Sequence, residues 1–88
     1  MARVLIVDDE PSVREMLGVL LHRAGHTCQT SSGARTAREH ITRDPPYDAV
    51  ITDLTMPDGS GMDVLDAARA RDPHTQVVMI TAYATTEQ

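Results

Sequence analysis

The sequence contains no lysine, no tryptophan and no phenylalanine, and only two tyrosines and one cysteine among its 88 residues. Each absence excludes something. Without lysine, all eight basic residues are arginines, so any role that needs an ammonium group cannot be filled from within these residues. Without Phe or Trp, the core must be aliphatic, with Tyr47 and Tyr83 the only rings. A single Cys28 cannot form an internal disulfide, which fits a reducing cytoplasm. No apolar run approaches the roughly 18 residues of a membrane span, and the first apolar run is too short for a signal peptide. The net charge of −5 argues against direct nucleic-acid binding by this segment.

What remains is an ordinary globular composition, 41% apolar, in a length that suits one small domain spanning residues 1–88. Short strands alternate with helical patterns. Arg3–Asp8 is apolar and β-branched, as a buried strand should be. Pro11 suits a first helical turn, and Val13, Met16, Leu17, Leu20 and Leu21 follow at helical spacing up to a Gly25 cap. His26–Thr30 is a weaker strand. Ser32 is the expected N-cap of a second helix with Ala34, Ala37 and Ile41 inward, stopped by Pro45-Pro46. Tyr47–Leu54 is a third strand, followed by the turn-rich TMPDGSG. Met62, Leu65 and Ala68 mark a third helix, and Gln76–Thr81 a fourth strand. Thr85-Thr86-Glu87-Gln88 has the form of a capping box. Met16, Met62 and Met79 are assigned to the core, and Met56 to a partly exposed loop. The arginines are assigned to solvated helix faces, and the four histidines show no metal-ligand spacing.

Strands alternating with helices imply an α/β fold with a parallel sheet. In such sheets ligands bind beyond the carboxyl ends of the strands, at the point where strand order reverses. With strand order 2-1-3-4, the first and third strands are neighbours. Asp8 and Asp9 then meet Asp53 at that end, with Thr81 beside them. Adjacent carboxylates repel, so water, a helix end or a cation must offset them. A helix N-terminus alone could account for Asp8-Asp9-Glu10. Convergence with Asp53 favours a hard cation with oxygen ligands, Mg²⁺, and a carboxylate beside Mg²⁺ can act as a nucleophile toward phosphorus.

The stretches VLIVDDEP, DAVITDLTMPDGSGMDVL and VVMITAYATTE, in this order and spacing, resemble the receiver domain of two-component response regulators. The resemblance implies a flavodoxin-like (CheY-like), doubly wound fold. It implies Asp53 as phosphoacceptor for a sensor histidine kinase, with Mg²⁺ held by Asp9 and Asp53 directly, by Asp8 through water, and by the carbonyl of Thr55. Thr81 is similar to the hydroxyl that contacts the phosphoryl group and moves on activation. Pro57 and Gly61 are similar to residues shaping the loop after the phosphoacceptor, and Thr55 and Tyr83 to positions that tune phosphoryl lifetime. TAYATTE resembles receivers of transcriptional activators that carry an ATPase domain, so an output domain is expected in the full-length protein.

Family receivers run to about 120 residues. They carry a fifth strand with a lysine, an aromatic switch residue and a last helix. The sequence ends before these, so it resembles a C-terminally truncated receiver. The chain is expected to promote its own aspartyl phosphorylation and dephosphorylation rather than to be an independent enzyme. A homo-oligomer is expected, through the exposed fourth-strand edge or the surface beside the first helix. The alternative is a phosphorylation-incompetent module that only assembles or binds partners. A haloacid-dehalogenase-like phosphatase needs D-x-D where this chain has D-D-E, and a Rossmann nucleotide binder needs a G-x-G-x-x-G turn that is missing.

Overall fold

The computed structural model describes residues 1–81. Its elements run β1 (Arg3–Val7), α1 (Pro11–Arg23), β2 (Thr27–Ser31), α2 (Ala34–Arg43), β3 (Ala49–Asp53), β4 (Thr55–Met56), β5 (Gly59–Ser60), α3 (Gly61–Arg71) and β6 (Gln76–Ile80). Four strands form one parallel sheet in the order β2-β1-β3-β6, the order expected for a doubly wound α/β fold. The short strands β4 and β5 pair antiparallel as a hairpin directly after β3, in the stretch expected to be a plain turn-rich loop.

The register decides which side chains share a face. Leu5 pairs with Val50, and Val50 with Val77; Ile6 pairs with Ile51, and Ile51 with Val78. Leu5, Val7 and Val50 belong to the main core, with Ala34, Ala37 and Ile41 of α2 and Val64 and Ala68 of α3. Small alanines let both helices lie close to the sheet. The other face, with Ile6 and Ile51, meets α1, and no residue of α1 is fully buried. Ile6 is sealed there, but Val78 is 51% exposed.

Several expectations need correcting. Met16 (53% exposed) and Met62 (49%) lie outside the core, whereas Met56 is buried at 6%. Met16 and Leu20 point away from the sheet because the inward stripe of α1 is Val13, Leu17 and Leu21, all half-buried. In α3 the buried positions are Gly61, Val64 and Ala68, with Leu65 half-buried. Met56 is carried inward by the β4–β5 hairpin. The N-cap of α2 is Gly33, not Ser32, and so the N-cap residue itself supplies no side-chain cap. Gly25 does adopt positive φ (91°) just past α1, where a left-handed residue ends the helix. The Thr85 capping box lies outside the described residues.

Candidate functional site

β1 and β3 are adjacent, and both end at the same edge of the sheet. Their apolar runs are buried, so the chain turns polar only where each strand leaves the core. Asp8 follows β1, Asp9 comes next, and Asp53 is the last residue of β3. One carboxylate oxygen from each of the three lies within 4.8 Å of the others. Asp8 is buried, Asp53 half-buried and Asp9 exposed, so the cluster is open on one side.

Local hydrogen bonds aim these groups. The backbone N–H of Asp8 donates to the carbonyl of Ser31 at 3.1 Å, extending the ladder with β2 by one residue. Oδ1 of Asp8 accepts from the N–H of Glu10 at 2.9 Å, a tight turn that leads into α1. Asp53 Oδ1 accepts from the N–H of Thr55 at 3.4 Å, and the Thr52 hydroxyl donates to the Asp53 carbonyl at 3.0 Å. The N–H of Leu54 donates to the Ile80 carbonyl at 2.8 Å, which fixes the exit of β3 against β6. Burial pushes the Asp53 carboxyl above the usual carboxylate range; Thr55 N–H opposes this, and neighbouring Asp8 and Asp9 add to it.

The fate of each expected site residue is as follows. Asp8, Asp9 and Asp53 are brought together. Thr81 follows Ile80, the partner of Asp53 across the sheet, and so stands at the same edge, half-buried. Thr55 opens β4, next to Asp53, with its side chain exposed. Pro57 is at the exposed hairpin tip. Gly61 begins α3, buried against the Asp53 backbone carbonyl and the Met79 sulfur, with no room for a Cβ. Tyr83 lies outside the described residues.

Three residues near the site escaped the sequence reading. Arg14, grouped with solvated faces, is half-buried and donates from its guanidinium to the Asp8 carbonyl at 2.6 Å. Its signal was a cation one turn into the helix that follows the acids. Ser60 and Asp63 form a capping box at the start of α3: Ser60 Oγ accepts from Met62 N–H at 3.0 Å, and Asp63 Oδ2 accepts from Ser60 N–H at 3.2 Å. The S-x-x-D pattern marked it.

The donor set is carboxylate oxygen, with backbone carbonyls nearby. Such a set fits a small hard cation and not a soft metal. Three carboxylates held this close, one of them buried, are also what a cation would offset.

Comparison with known proteins agrees with this geometry. The family model described as response regulator receiver domain matches residues 4–88. The chain is 43% identical over 81 residues to response regulator protein PilR of Pseudomonas aeruginosa, covering 92% of this chain and 18% of that protein. It thus spans less than a fifth of that relative's length. Response regulator protein TrrA of Thermotoga maritima, solved in complex with Mg²⁺-BeF, superposes with a TM-score of 0.86 at 34% identity, covering 96% of this chain and 72% of that one. The complex of histidine kinase ThkA with TrrA gives 0.84 at 33% identity, covering 100% and 75%. Among the described residues no helix is long and apolar enough to cross a membrane. A match over nearly the whole length and a sheet of the same order place this chain in the response regulator receiver domain family.

Proposed function

We propose that this chain is the phosphoacceptor module of a cytoplasmic two-component system. Asp53 takes a phosphoryl group from the phosphorylated histidine of a sensor kinase. The phosphorus–nitrogen bond of the donor breaks as an oxygen–phosphorus bond to Asp53 forms, and the imidazole keeps its place on the kinase. Asp9 and Asp53 would hold Mg²⁺ directly, Asp8 through water, and Thr55 through its backbone carbonyl. When bound, Mg²⁺ neutralises charge shared by the carboxylates and the phosphoryl oxygens.

The chain's own residues do the rest. Burial of Asp8 and the Glu10 and Arg14 contacts fix the acidic turn after β1. The Thr55 N–H orients Asp53. Thr81 stands at the same edge and would contact a phosphoryl oxygen, carrying the change outward along the segment that follows. Thr55 and Tyr83 would set how long the phosphoryl group lasts, and Pro57 and Gly61 hold the loop shape. An output domain would read the change, in keeping with the small share of PilR that this chain spans. TrrA, solved both with Mg²⁺-BeF and with a histidine kinase, supports the choice of cation and partner.

The observation that carries the proposal is the convergence of three carboxylates within 4.8 Å at the ends of β1 and β3. Intact mass after incubation with Mg²⁺ and acetyl phosphate tests it. The wild type gains one phosphoryl increment and Asp53→Asn gains none. No gain by a folded wild type, or equal gain by the variant, overturns it.

A second reading, assembly with another copy of the chain, is favoured by one observation. Among the described residues β6 is paired on one side only, and its Val78 is 51% exposed. Sedimentation at increasing concentration checks this; a monomer throughout excludes it.

A further inference from the structure

We infer that Asp58 is a positioning residue for the three-acid site, clamping the segment that follows Asp53 onto the N-terminus of α2. The inference rests on the reading of Asp53 and Thr55 given above.

The segment needs an anchor. It leaves β3 at Asp53, runs out along β4 and returns along β5 to α3. Its base is tied by the Gly61 N–H to the Leu54 carbonyl at 2.8 Å and by the Ser60–Asp63 capping box. Its middle is tied by buried Met56. Its tip, Pro57-Asp58, is exposed and would otherwise swing freely. Instead Asp58 Oδ1 accepts from the Ala34 N–H at 2.9 Å, and Oδ2 from the Arg35 N–H at 3.1 Å. Both oxygens are used, on two consecutive amides.

The helix is built to receive them. A helix start leaves its first N–H groups without partners, and a local Ser, Thr, Asp or Asn usually supplies one. Here the N-cap is Gly33, and Ser32 does not cap. A Cβ at residue 33 would lie 2.8 and 2.9 Å from the two Asp58 oxygens. Glycine at this position leaves the space that the carboxylate fills. The amides of Ala34 and Arg35 in turn hold the Asp58 carboxyl below its ordinary range, so it stays ionised.

The clamp reaches the site through a short lever. Thr55 pairs with Ser60 and Met56 with Gly59, so the hairpin moves as a unit. Asp58 lies three residues from Thr55, whose N–H contacts Asp53 and whose carbonyl is the proposed ligand. An ordinary helix cap would affect only the stability of α2. A positioning residue must also affect the geometry at Thr55.

The experiment separates these. Amide NMR spectra of wild type, Asp58→Ala, Asp58→Asn, Gly33→Ala and Tyr47→Phe are recorded without metal and through a Mg²⁺ titration. Asp58→Ala should displace the Thr55 and Met56 amide signals in metal-free protein and weaken Mg²⁺ binding on the order of tenfold. Asp58→Asn keeps one acceptor oxygen and should recover part of that loss. Gly33→Ala, by expelling the carboxylate, should reproduce it. Tyr47→Phe loosens the far end of α2 and should leave Mg²⁺ affinity alone. A folded Asp58→Ala with wild-type Thr55 signals and wild-type Mg²⁺ affinity overturns the inference. If Asp58→Ala does not fold, the same comparison is made on Gly33→Ala and Asp58→Asn, with the same overturning result. A wild type that shows no saturable Mg²⁺ response refutes the metal reading instead. The metal-free Thr55 and Met56 signals then decide the clamp alone.

Discussion

The two ends of the sheet treat their acids in opposite ways. At the amino-terminal end, Asp48 accepts from the Arg3 N–H at 2.8 Å. Asp44 accepts from the Tyr47 hydroxyl and from His40 Nδ1, the latter at 3.0 Å. The Tyr47 ring lies under the Arg3 guanidinium, 4.7 Å from its centroid. At the carboxyl-terminal end, Asp8, Asp9 and Asp53 face one another. The carboxyl groups respond accordingly. Hydrogen bonds from Tyr47 and His40 hold Asp44 below the usual carboxylate range, and burial pushes Asp53 above it. One amino acid thus plays two parts. Where donors surround it, the carboxylate stitches a loop; where other carboxylates do, it becomes the seat proposed for a cation.

The largest expected effect comes from supplying that cation. At ten times its Kd, Mg²⁺ should stabilise the wild type by about 1.4 kcal/mol. Asp53→Asn should lose most of this, and thermal unfolding with and without Mg²⁺ measures it. Without metal the sign reverses. Because the folded chain raises the Asp53 pKa, its contribution is present below the unfolded carboxyl pKa and is lost as pH rises through the folded one. Metal-free Asp53→Asn should therefore unfold at a higher temperature than wild type at neutral pH. An unchanged or lower midpoint would break the contrast between the two ends.

Tyr47→Phe is the next test, at the other end. Loss of the bond to Asp44 should cost about 1 kcal/mol at neutral pH, read by urea unfolding. Burial, aided by Asp44, raises the Tyr47 pKa from 10.0 to about 12. The stability tied to its proton is complete below pH about 10 and is lost as pH rises toward about 12. The Phe variant should not show this alkaline loss.

The smallest effect belongs to Asp44→Asn. Its lowered pKa contributes stability that is present above the unfolded carboxyl pKa and lost as pH falls through the folded value. Wild type should be the more stable at neutral pH, and the two should converge in strong acid. An Asn variant more stable than wild type at neutral pH would remove the contrast with Asp53.

The alternation of strands and helices, and the placing of Asp8, Asp9 and Asp53 at one end of the sheet, were legible because they rest on local pattern; the strand order 2-1-3-4 came with the resemblance to receiver domains. Apolar β-branched runs end in acids, and alternation with helices puts those ends on one side. What escaped depended on contacts far apart in the chain. Asp58 caps a helix that starts 24 residues before it, and no local window links the two. Met56 sits in a polar turn sequence, yet a two-residue hairpin folds it into the core. Met16 and Leu20 fit a helical stripe, but several overlapping stripes satisfy that spacing in an aliphatic helix. Only packing selects among them.

Gly61 has a consequence for how this sequence can vary. A methyl group there would run into the Asp53 carbonyl and the Met79 sulfur, whereas one at Gly18 would meet nothing within 4 Å. In a library of single substitutions, position 18 should accept alanine and larger residues, while position 61 should reject all nineteen alternatives. The clash falls on the backbone of Asp53 itself, so the toll would be recorded at the acid and not merely in the start of α3. A residue with no side chain and no chemistry of its own would therefore rank, by tolerance alone, beside the carboxylates.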